Sequence, residues 1–247
     1  MKTGIQISSL KPLIQTEETL RETCGKIAAL GCGTVQLQWL GREIPADTVA
    51  EILRENGMES LGIQDFYGQC LKDFEYYVNL NTATGGCWFT VSRIPEDCKS
   101  PLGLAEFIRQ LRHMQQRLDG FGQKLLFHPV TADYRAVPGM NAVEYLMDAM
   151  PELELCLDLY HLNRNCGDMP GFLRRYAGRI PMVHFKDEDA AGNLVPAGTG
   201  IVRWQGVTEA CRETGVLWAL AEQETWEGDP FRLLDEAMRW IDGPPSV

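Results

Sequence analysis

The sequence predicts an α/β fold, a single (β/α)8 barrel in which parallel strands alternate with helices. Two observations predict it. The chain has 247 residues, close to the roughly 250 residues typical of such a barrel. Short apolar segments also alternate with longer amphipathic segments along the chain, which is the pattern of a parallel sheet with helical crossovers.

Eight segments have the short apolar runs expected of buried parallel strands, at residues 4–8, 34–40, 60–65, 87–92, 124–128, 153–159, 180–186 and 217–224. The amphipathic segments are predicted to be helices, at residues 16–30, 45–56, 73–80, 101–119, 141–150, 169–176, 204–214 and 229–241. Acidic residues begin the first helix, and proline and glycine bracket the second, which are usual start and stop signals.

Repeated strand–helix units imply parallel strands with right-handed crossovers, and eight such units close naturally into a barrel. The competing architecture is an open, doubly wound sheet, which usually has a glycine-rich phosphate turn after its first strand. Here the first strand leads into SSLKP at residues 8–12, which contains no glycine. No linker or change of composition marks a second domain, so residues 1–247 are expected to form one domain with a frayed tail at 243–247.

Composition disfavours several classes of partner. The formal net charge is −11, whereas affinity for nucleic acid comes mainly from Lys and Arg. No apolar run approaches the roughly 18 residues of a membrane span, and the N-terminus lacks a signal-peptide pattern, so a cytoplasmic protein is expected. The eight cysteines form no C-x-x-C pair and are expected to be reduced thiols.

Polar side chains gather where the last four predicted strands end, and this end carries the active site in such barrels. Three of the four histidines, His128, His161 and His184, lie at or just beyond strand ends. The fourth, His113, lies in a predicted helix. The same strand ends carry charged groups: Asp158, Lys186, Asp187, Glu222 and Glu224.

Strand alternation predicts that some of these groups converge, because residues i and i+2 of a strand point to the same face. Asp158, His184 and Glu222 are expected to meet inside the barrel, where an unpaired charge is costly. A divalent cation would satisfy all of them, and mixed carboxylate and imidazole ligands suit Mn, Zn, Fe or Co. Taken singly, each is more readily interpreted as a hydrogen-bonded structural group.

Candidate substrate contacts lie at the ends of the second to fourth strands. Trp39 and Phe66 offer aromatic rings of the kind that pack against the C–H face of a sugar, although core packing also explains them. Arg93 follows the fourth strand and is a candidate for binding a phosphate or carboxylate. The sequence has neither a P-loop nor a dinucleotide fingerprint, so no organic cofactor is expected.

Four motifs in order resemble the xylose isomerase-like TIM barrel superfamily: D-x-x-H at 158–161, HFKD at 184–187, AGTGIVRW at 197–204 and AEQE at 221–224. The chain is similar, more narrowly, to the sugar phosphate isomerase/epimerase group, which includes inosose dehydratases, ketose epimerases and hydroxypyruvate isomerases. The resemblance is best over residues 124–240 and rests elsewhere on the order of strands and helices.

The resemblance implies one divalent metal ion, with Mn, Zn, Mg, Co and Fe all open, held by Asp158, His184 and Glu222. In the family, an acidic residue from the fifth strand or its loop completes the site. This segment reads FHPVTADY, so either His128 at the strand end or Asp133 in the loop is implied as the fourth ligand.

The implied enzyme is a sugar isomerase or epimerase that acts on a polyhydroxylated ketone through an enediolate. Glu222 is implied as one catalytic base, with Asp133 or His128 on the opposite face. His161 and Lys186 are implied to lie at the substrate. Loss of a β-hydroxyl at the same site would make the protein an inosose-type dehydratase. Relatives often form dimers, which makes a homodimer one candidate assembly.

Two other classes of protein are alternatives to a sugar isomerase. A barrel that has kept the fold but lost part of the site would be a non-catalytic binding or accessory subunit. The fifth-strand segment, which departs from the family pattern, favours this alternative. Apurinic endonucleases of the same superfamily use many histidines for three metals and bind DNA. The four histidines and the net charge of −11 disfavour that class.

Overall fold

The structure, a computed structural model that describes residues 1–243, has eight parallel strands arranged as a closed barrel. The barrel strands are β1 (Lys2–Gln6), β2 (Thr34–Leu37), β3 (Glu59–Phe66), β4 (Trp88–Ser92), β5 (Lys124–His128), β6 (Glu154–Asp158), β7 (Met182–Phe185) and β10 (Trp218–Ala221). Their order is β1-β10-β7-β6-β5-β4-β3-β2, so the first and last strands pair and close the sheet. The predicted (β/α)8 barrel is confirmed.

Helices surround the barrel and connect its strands. They are α1 (Glu17–Ala29), α2 (Ala46–Glu55), α3 (Tyr67–Lys72), α4 (Phe74–Ala83), α5 (Pro101–Asp119), α6 (Ala142–Ala149), α7 (Leu159–Asn163), α8 (Met169–Arg175), α9 (Val207–Glu213) and α10 (Pro230–Asp242). Short 3-10 helices cover Ile7–Leu13, Glu96–Cys98 and Asp133–Arg135. The eight predicted helices are all present, and the short α3 and α7 are additional.

A hairpin of two short antiparallel strands, β8 (Asp187–Glu188) and β9 (Leu194–Val195), follows the seventh barrel strand. Among the described residues, no helix combines the length and the apolar character that crossing a bilayer requires. Residues 244–247, most of the tail expected to fray, lie outside the described residues.

Three predicted strands extend at least two residues too far at their carboxyl ends, because the backbone turns before the predicted run is complete. β2 ends at Leu37 rather than at residue 40. β1 ends at Gln6 rather than at residue 8, since the Gln6 side chain accepts the backbone N–H of Ser8 and a 3-10 helix begins at Ile7. β10 ends at Ala221, so Glu222 and Glu224 come from the segment after the strand. The differences in β1 and β10 place polar side chains at the rim of the barrel.

The interior of the barrel changes from apolar to polar along its axis. One end is filled by a small cluster in which Trp88 and Trp218 pack against Leu61, Leu126, Cys156, Met182 and Leu220. A second layer consists of buried polar side chains, among them Gln6, Gln36, Gln64, Thr90 and His184. The larger hydrophobic core lies between the outer faces of the strands and the helices. The polar layer therefore underlies the rim at which the candidate site is found.

Candidate active site

The carboxyl ends of three adjacent strands bring His128, Asp158 and His184 together. His128 ends β5 and Asp158 ends β6, while His184 lies opposite Asp158 in the register of β6 and β7. All three side chains are buried. One donor atom from each residue lies within 4.8 Å of one donor atom from each of the others. The parallel sheet itself thus places two imidazoles and a carboxylate around one point.

One histidine of this group has no partner in the protein. Neither ring nitrogen of His128 has a hydrogen-bond partner among residues 1–243, whereas the Oδ2 atom of Asp158 lies 3.1 Å from Lys186 Nζ. Burial, followed by the charge of His184, lowers the pKa of His128 to about 3, so its imidazole is neutral near pH 7. Buried polar atoms without partners are costly. The donor set therefore fits a divalent cation of mixed nitrogen and oxygen preference.

Asp158 is oriented by the helix that follows it. Its Oδ1 atom accepts the backbone N–H groups of Tyr160 (2.9 Å) and His161 (3.1 Å) and so caps α7. Its Oδ2 atom lies 4.0 Å from His128 Nε2 and 3.6 Å from His161 Nε2. The cap thus holds one oxygen in place and leaves the other directed at the histidines.

A buried lysine lies among three carboxylates at the same rim. Lys186 Nζ is 3.1 Å from Asp158 Oδ2, 3.1 Å from Glu222 Oε2 and 3.0 Å from Glu224 Oε2. Burial alone would lower the pKa of Lys186, but these carboxylates outweigh it and hold the pKa well above its ordinary value. The Lys186 ammonium in turn holds the pKa values of Asp158 and Glu222 below their ordinary values, against the effect of burial.

Glu222 contacts the three-donor group through His184. Its Oε2 atom lies 3.1 Å from His184 Nδ1, and its Oε1 atom accepts a hydrogen bond from Ser8 Oγ at 3.3 Å. Burial alone would lower the pKa of His184, but contacts with Cys156 and Glu222 raise it well above its ordinary value. The carboxylate is therefore next to the donor group rather than one of its three members.

The carboxylate of Asp133 is held by its own loop. Its Oδ1 atom accepts the backbone N–H of Ile94 at 3.0 Å, and its Oδ2 atom accepts that of Val130 at 2.8 Å. Burial outweighs these hydrogen bonds and raises the pKa of Asp133 to about 6. Of the two fifth-strand candidates, the structure places His128 in the donor group, while Asp133 stays beside it with both oxygens engaged.

A cavity of about 480 Å³ opens above the donor group. Its walls include every predicted site residue except the two deepest donors: Trp39, Phe66, Arg93, His128, Asp133, His161, Lys186 and Glu222. Asp158 and His184 are fully buried beneath it. His161 is held at this wall by a hydrogen bond of 2.8 Å between its Nδ1 atom and Thr131 Oγ1. The residues singled out in the sequence thus surround one space.

The wall opposite the donor group is aromatic and basic. The ring centroids of Trp39 and Phe66 are 6.1 Å apart, and the Arg93 guanidinium lies 4.2 Å from the centroid of Phe66. Trp39 and Arg93 have φ angles of 57° and 68°, a region that residues other than glycine rarely adopt. Such backbone strain often occurs at ligand sites.

Several polar residues of the site were not predicted from the sequence. Gln6, Gln36 and Gln64 lie in the barrel strands and form the polar layer under the rim. Gln36 Oε1 is 2.7 Å from His184 Nε2. A signal was present, because each glutamine interrupts an otherwise apolar run at a position where a buried strand should carry a hydrophobic residue.

Fold and rim together define a (β/α)8-barrel protein whose candidate site lies at the carboxyl ends of its strands. The chain belongs to the xylose isomerase-like TIM barrel family, whose model matches residues 24–243. The predicted family resemblance is confirmed. No curated protein matches the chain in sequence.

Solved structures with the same fold include enzymes of several activities. A sugar phosphate isomerase/epimerase from Parabacteroides distasonis ATCC 8503 is 13% identical, with a TM-score of 0.78 and coverage of 99% of this chain and 94% of that one. A probable 3-DHS dehydratase from Bacillus anthracis is 15% identical, with a TM-score of 0.75 and coverage of 98% and 99%. A D-allulose 3-epimerase from Methylomonas sp., in complex with D-allulose, is 14% identical, with a TM-score of 0.75 and coverage of 98% and 96%.

Proposed function

We propose that this protein is an enzyme that isomerises or epimerises a sugar or a related polyhydroxylated ketone with the help of one divalent metal ion. The observation that carries the proposal is the group of His128, Asp158 and His184, whose donor atoms converge at the rim without satisfying one another. Family membership and structural neighbours that act on sugars support the same class of reaction. Mn, Zn, Mg, Co and Fe remain candidates for the metal.

His128, Asp158 and His184 would hold the ion, with Glu222 next to it as a fourth donor. A divalent ion bound there supplies Lewis acidity, which polarises a carbonyl or hydroxyl oxygen and makes the proton on the adjacent carbon more acidic. Two imidazoles and carboxylates are a donor set that several first-row metals accept. The rest of the reaction depends on side chains of this chain.

Glu222 is the proposed general base. Its carboxylate is ionised and lines the cavity, so it can take the proton from the carbon next to the carbonyl group. The electron pair of that C–H bond then forms the carbon–carbon double bond of an enediolate. The ammonium of Lys186, within 3.1 Å of Glu222, stabilises the negative charge that develops on oxygen. Return of the proton to the neighbouring carbon isomerises the sugar, and return to the opposite face of the same carbon epimerises it.

The aromatic wall suits the part of the substrate that does not react. Trp39 and Phe66 present ring faces for the C–H groups of a sugar, and His161 presents a ring nitrogen for a hydroxyl. Arg93 adds a positive charge at the mouth of the cavity. A substrate between this wall and Glu222 is oriented on two sides, as stereospecific proton transfer requires.

A dehydratase is the second candidate function, and one observation favours it. Epimerisation benefits from a base on each face of the substrate, but both carboxylate oxygens of Asp133 accept backbone N–H groups. Glu222 is then the better-placed carboxylate for proton transfer. In a dehydration, Glu222 removes the α-proton and the β-hydroxyl leaves as water after it takes a proton from the ammonium group of Lys186. One base and one acid are sufficient for that reaction.

The test combines metal analysis with proton exchange. Metal content of the purified protein is measured by mass spectrometry, and a panel of ketoses and inososes is incubated with the protein in D2O and followed by NMR. The proposal expects stoichiometric metal and deuterium at the carbon next to the carbonyl group. New vinylic signals instead of deuterated sugar would identify the dehydratase. A folded protein without metal and without exchange would support the accessory-barrel alternative and contradict the proposal.

Glu222→Gln is the informative variant, because it keeps the size of the side chain and removes the base. Exchange should fall at least 100-fold. His113→Gln is the matched control, since His113 lies exposed on α5, away from the rim. It should keep both the metal and the exchange rate of the wild type.

A further inference from the structure

A chain of hydrogen bonds runs through the polar layer from β1 to β7. Gln6 Nε2 lies 2.9 Å from Gln36 Oε1, and the same oxygen lies 2.7 Å from His184 Nε2. All three side chains have no exposed surface. These hydrogen bonds therefore connect the candidate metal donor His184 on β7 to β1 and β2, which lie beyond β10 in the barrel.

A backbone N–H group, which can only donate, fixes which atoms donate and which accept along this series of hydrogen bonds. The backbone N–H of Ser8 donates to Gln6 Oε1 at 3.3 Å. A backbone N–H is always a donor, so the oxygen of the Gln6 amide faces Ser8 and its NH2 group faces Gln36. The opposite orientation of Gln6 would bring two donors together in a buried place, which is unfavourable.

The orientation of the Gln6 amide fixes that of the Gln36 amide. Because Gln6 donates, the atom of Gln36 that faces it is the oxygen, and the Gln36 NH2 group faces Thr90 Oγ1 at 3.1 Å, a hydroxyl that can accept it. That oxygen is also the atom that faces His184. His184 Nε2 must then carry a proton and donate it to Gln36.

We infer that Gln6 and Gln36 are positioning residues that keep a proton on His184 Nε2 and so present the other ring nitrogen, Nδ1, to the rim. Nδ1 is the ring nitrogen that lies 3.1 Å from Glu222. This inference rests on the proposed function in taking His184 for a metal donor. It adds that Nδ1 is the donor atom and that side chains of β1 and β2 determine this choice.

Cys156 is the other neighbour of the same nitrogen and does not oppose this arrangement. Its Sγ atom lies 3.2 Å from His184 Nε2 and 3.8 Å from Gln64 Oε1. The thiol can turn its hydrogen toward Gln64 and leave its sulfur as a weak acceptor for the Nε2 proton. In metal sites generally, the second nitrogen of a histidine ligand donates to a protein acceptor, and loss of that acceptor weakens metal binding about 10–100-fold.

The first experiment detects the ring proton of His184 directly, by NMR of the full chain labelled with 15N at histidine. The metal-free wild type should show a proton on His184 Nε2 that exchanges slowly with water, whether or not Nδ1 is also protonated. Gln36→Leu removes the acceptor and should make this exchange at least 10-fold faster. A wild type that carries its proton on Nδ1 alone would overturn the inference.

The second experiment measures Zn²⁺ affinity by competition with a chelator. Gln6→Leu keeps Gln36 but frees its amide to turn over, so it should weaken Zn²⁺ binding about 10–100-fold, as should Gln36→Leu. Gln123→Leu is the matched control, because Gln123 is also buried but bonds to Val78 and Thr82, away from the rim. Its affinity should stay within about twofold of the wild type.

The two experiments separate the inference from the proposed function. If the wild type binds no Zn²⁺ but shows the slow Nε2 proton, and Gln36→Leu loses it, the proposed site fails for Zn²⁺ while the positioning of the His184 proton by Gln36 stands. If Zn²⁺ binds equally well to the wild type and to both folded variants, the inference fails while the metal proposal stands.

Discussion

The buried imidazole of His128 has two ring nitrogens without a hydrogen-bond partner in the described part of the chain. Such groups cost about 1–3 kcal/mol when buried. We expect His128→Leu to leave the metal-free protein as stable as the wild type, or more stable by about 1 kcal/mol. Added Zn²⁺ should stabilise the wild type by mass action and the variant much less. Urea denaturation with and without Zn²⁺ measures both effects.

The exposed His113 again provides the control, because His113→Gln removes a histidine from α5 without touching the rim. It should keep the full stabilisation by Zn²⁺. A metal-free His128→Leu protein that is several kcal/mol less stable than the wild type would show that His128 has a structural partner after all.

The lowered pKa of His128 also predicts a pH dependence of stability. The folded protein has a pKa of about 3 for this group, against an ordinary value of 6.5 in the unfolded chain. Between these values the unfolded chain binds a proton that the folded chain does not, so the unfolding free energy falls as the pH falls, by about 1.4 kcal/mol per unit. His128→Leu lacks this contribution. Denaturation midpoints of metal-free protein between pH 6.5 and 4 should therefore fall less steeply in the variant, and parallel curves would refute the assignment.

At the scale of elements, one carboxylate organises the segment between β9 and α9. Asp187 accepts the backbone N–H groups of Gly198 (3.0 Å), Gly200 (3.1 Å) and Val202 (3.0 Å), and the indole N–H of Trp204 (2.8 Å). Asp187→Asn would turn an amide donor toward these donors. We expect a loss of about 2–3 kcal/mol in unfolding free energy, and faster hydrogen exchange at the three backbone amides.

Asp189→Asn is the matched control for that loop. Asp189 caps an exposed turn, with the backbone N–H groups of Ala191 at 2.8 Å and Asn193 at 2.9 Å. Its replacement should change stability by less than about 1 kcal/mol, because an exposed amide can still accept a hydrogen bond. Equal losses in the two variants would contradict a special role for Asp187.

Substitution by alanine is expected to change the unfolding free energy in opposite directions at two glycines in different elements. Gly62 in β3 has a φ angle of 149°, and a Cβ there would overlap the carbonyl oxygen of Trp88. Gly25 lies in α1, where the nearest atom to a Cβ, Asn56 Oδ1, is 3.6 Å away. Gly62→Ala should lower the unfolding free energy by more than about 2 kcal/mol. Gly25→Ala should raise it by about 0.5–1 kcal/mol, as thermal denaturation would show.

The whole molecule is closed by pairing between its first and last barrel strands. β1 pairs in parallel with β10 over Lys2–Ile5 and Trp218–Ala221. We therefore expect the single domain predicted from the sequence to unfold as one unit. Amides of β1, β5 and β10 should exchange through the same global opening in native-state hydrogen exchange at rising urea concentration. Separate openings for the two halves of the barrel would contradict that prediction.

The sequence by itself determined the barrel and the neighbourhood of the site. Alternating apolar and amphipathic segments identify parallel strands with helical crossovers, and the carboxyl ends of such strands meet at one rim. Polar residues at consecutive strand ends were therefore enough to predict that Asp158, His184 and Glu222 lie together, with either His128 or Asp133 beside them. The motifs from 158 to 224 added the family.

Only the tertiary structure decided how these groups are arranged. His128 and Asp133 are five residues apart, and the loop amides of Ile94 and Val130 engage both oxygens of Asp133, so that only His128 lies in the group of three donors. The position of Lys186 among its carboxylates depends on side-chain direction at three different strand ends. The direction of a side chain and the partner it meets across a barrel are set by packing between segments far apart in the chain, and local sequence patterns do not specify them.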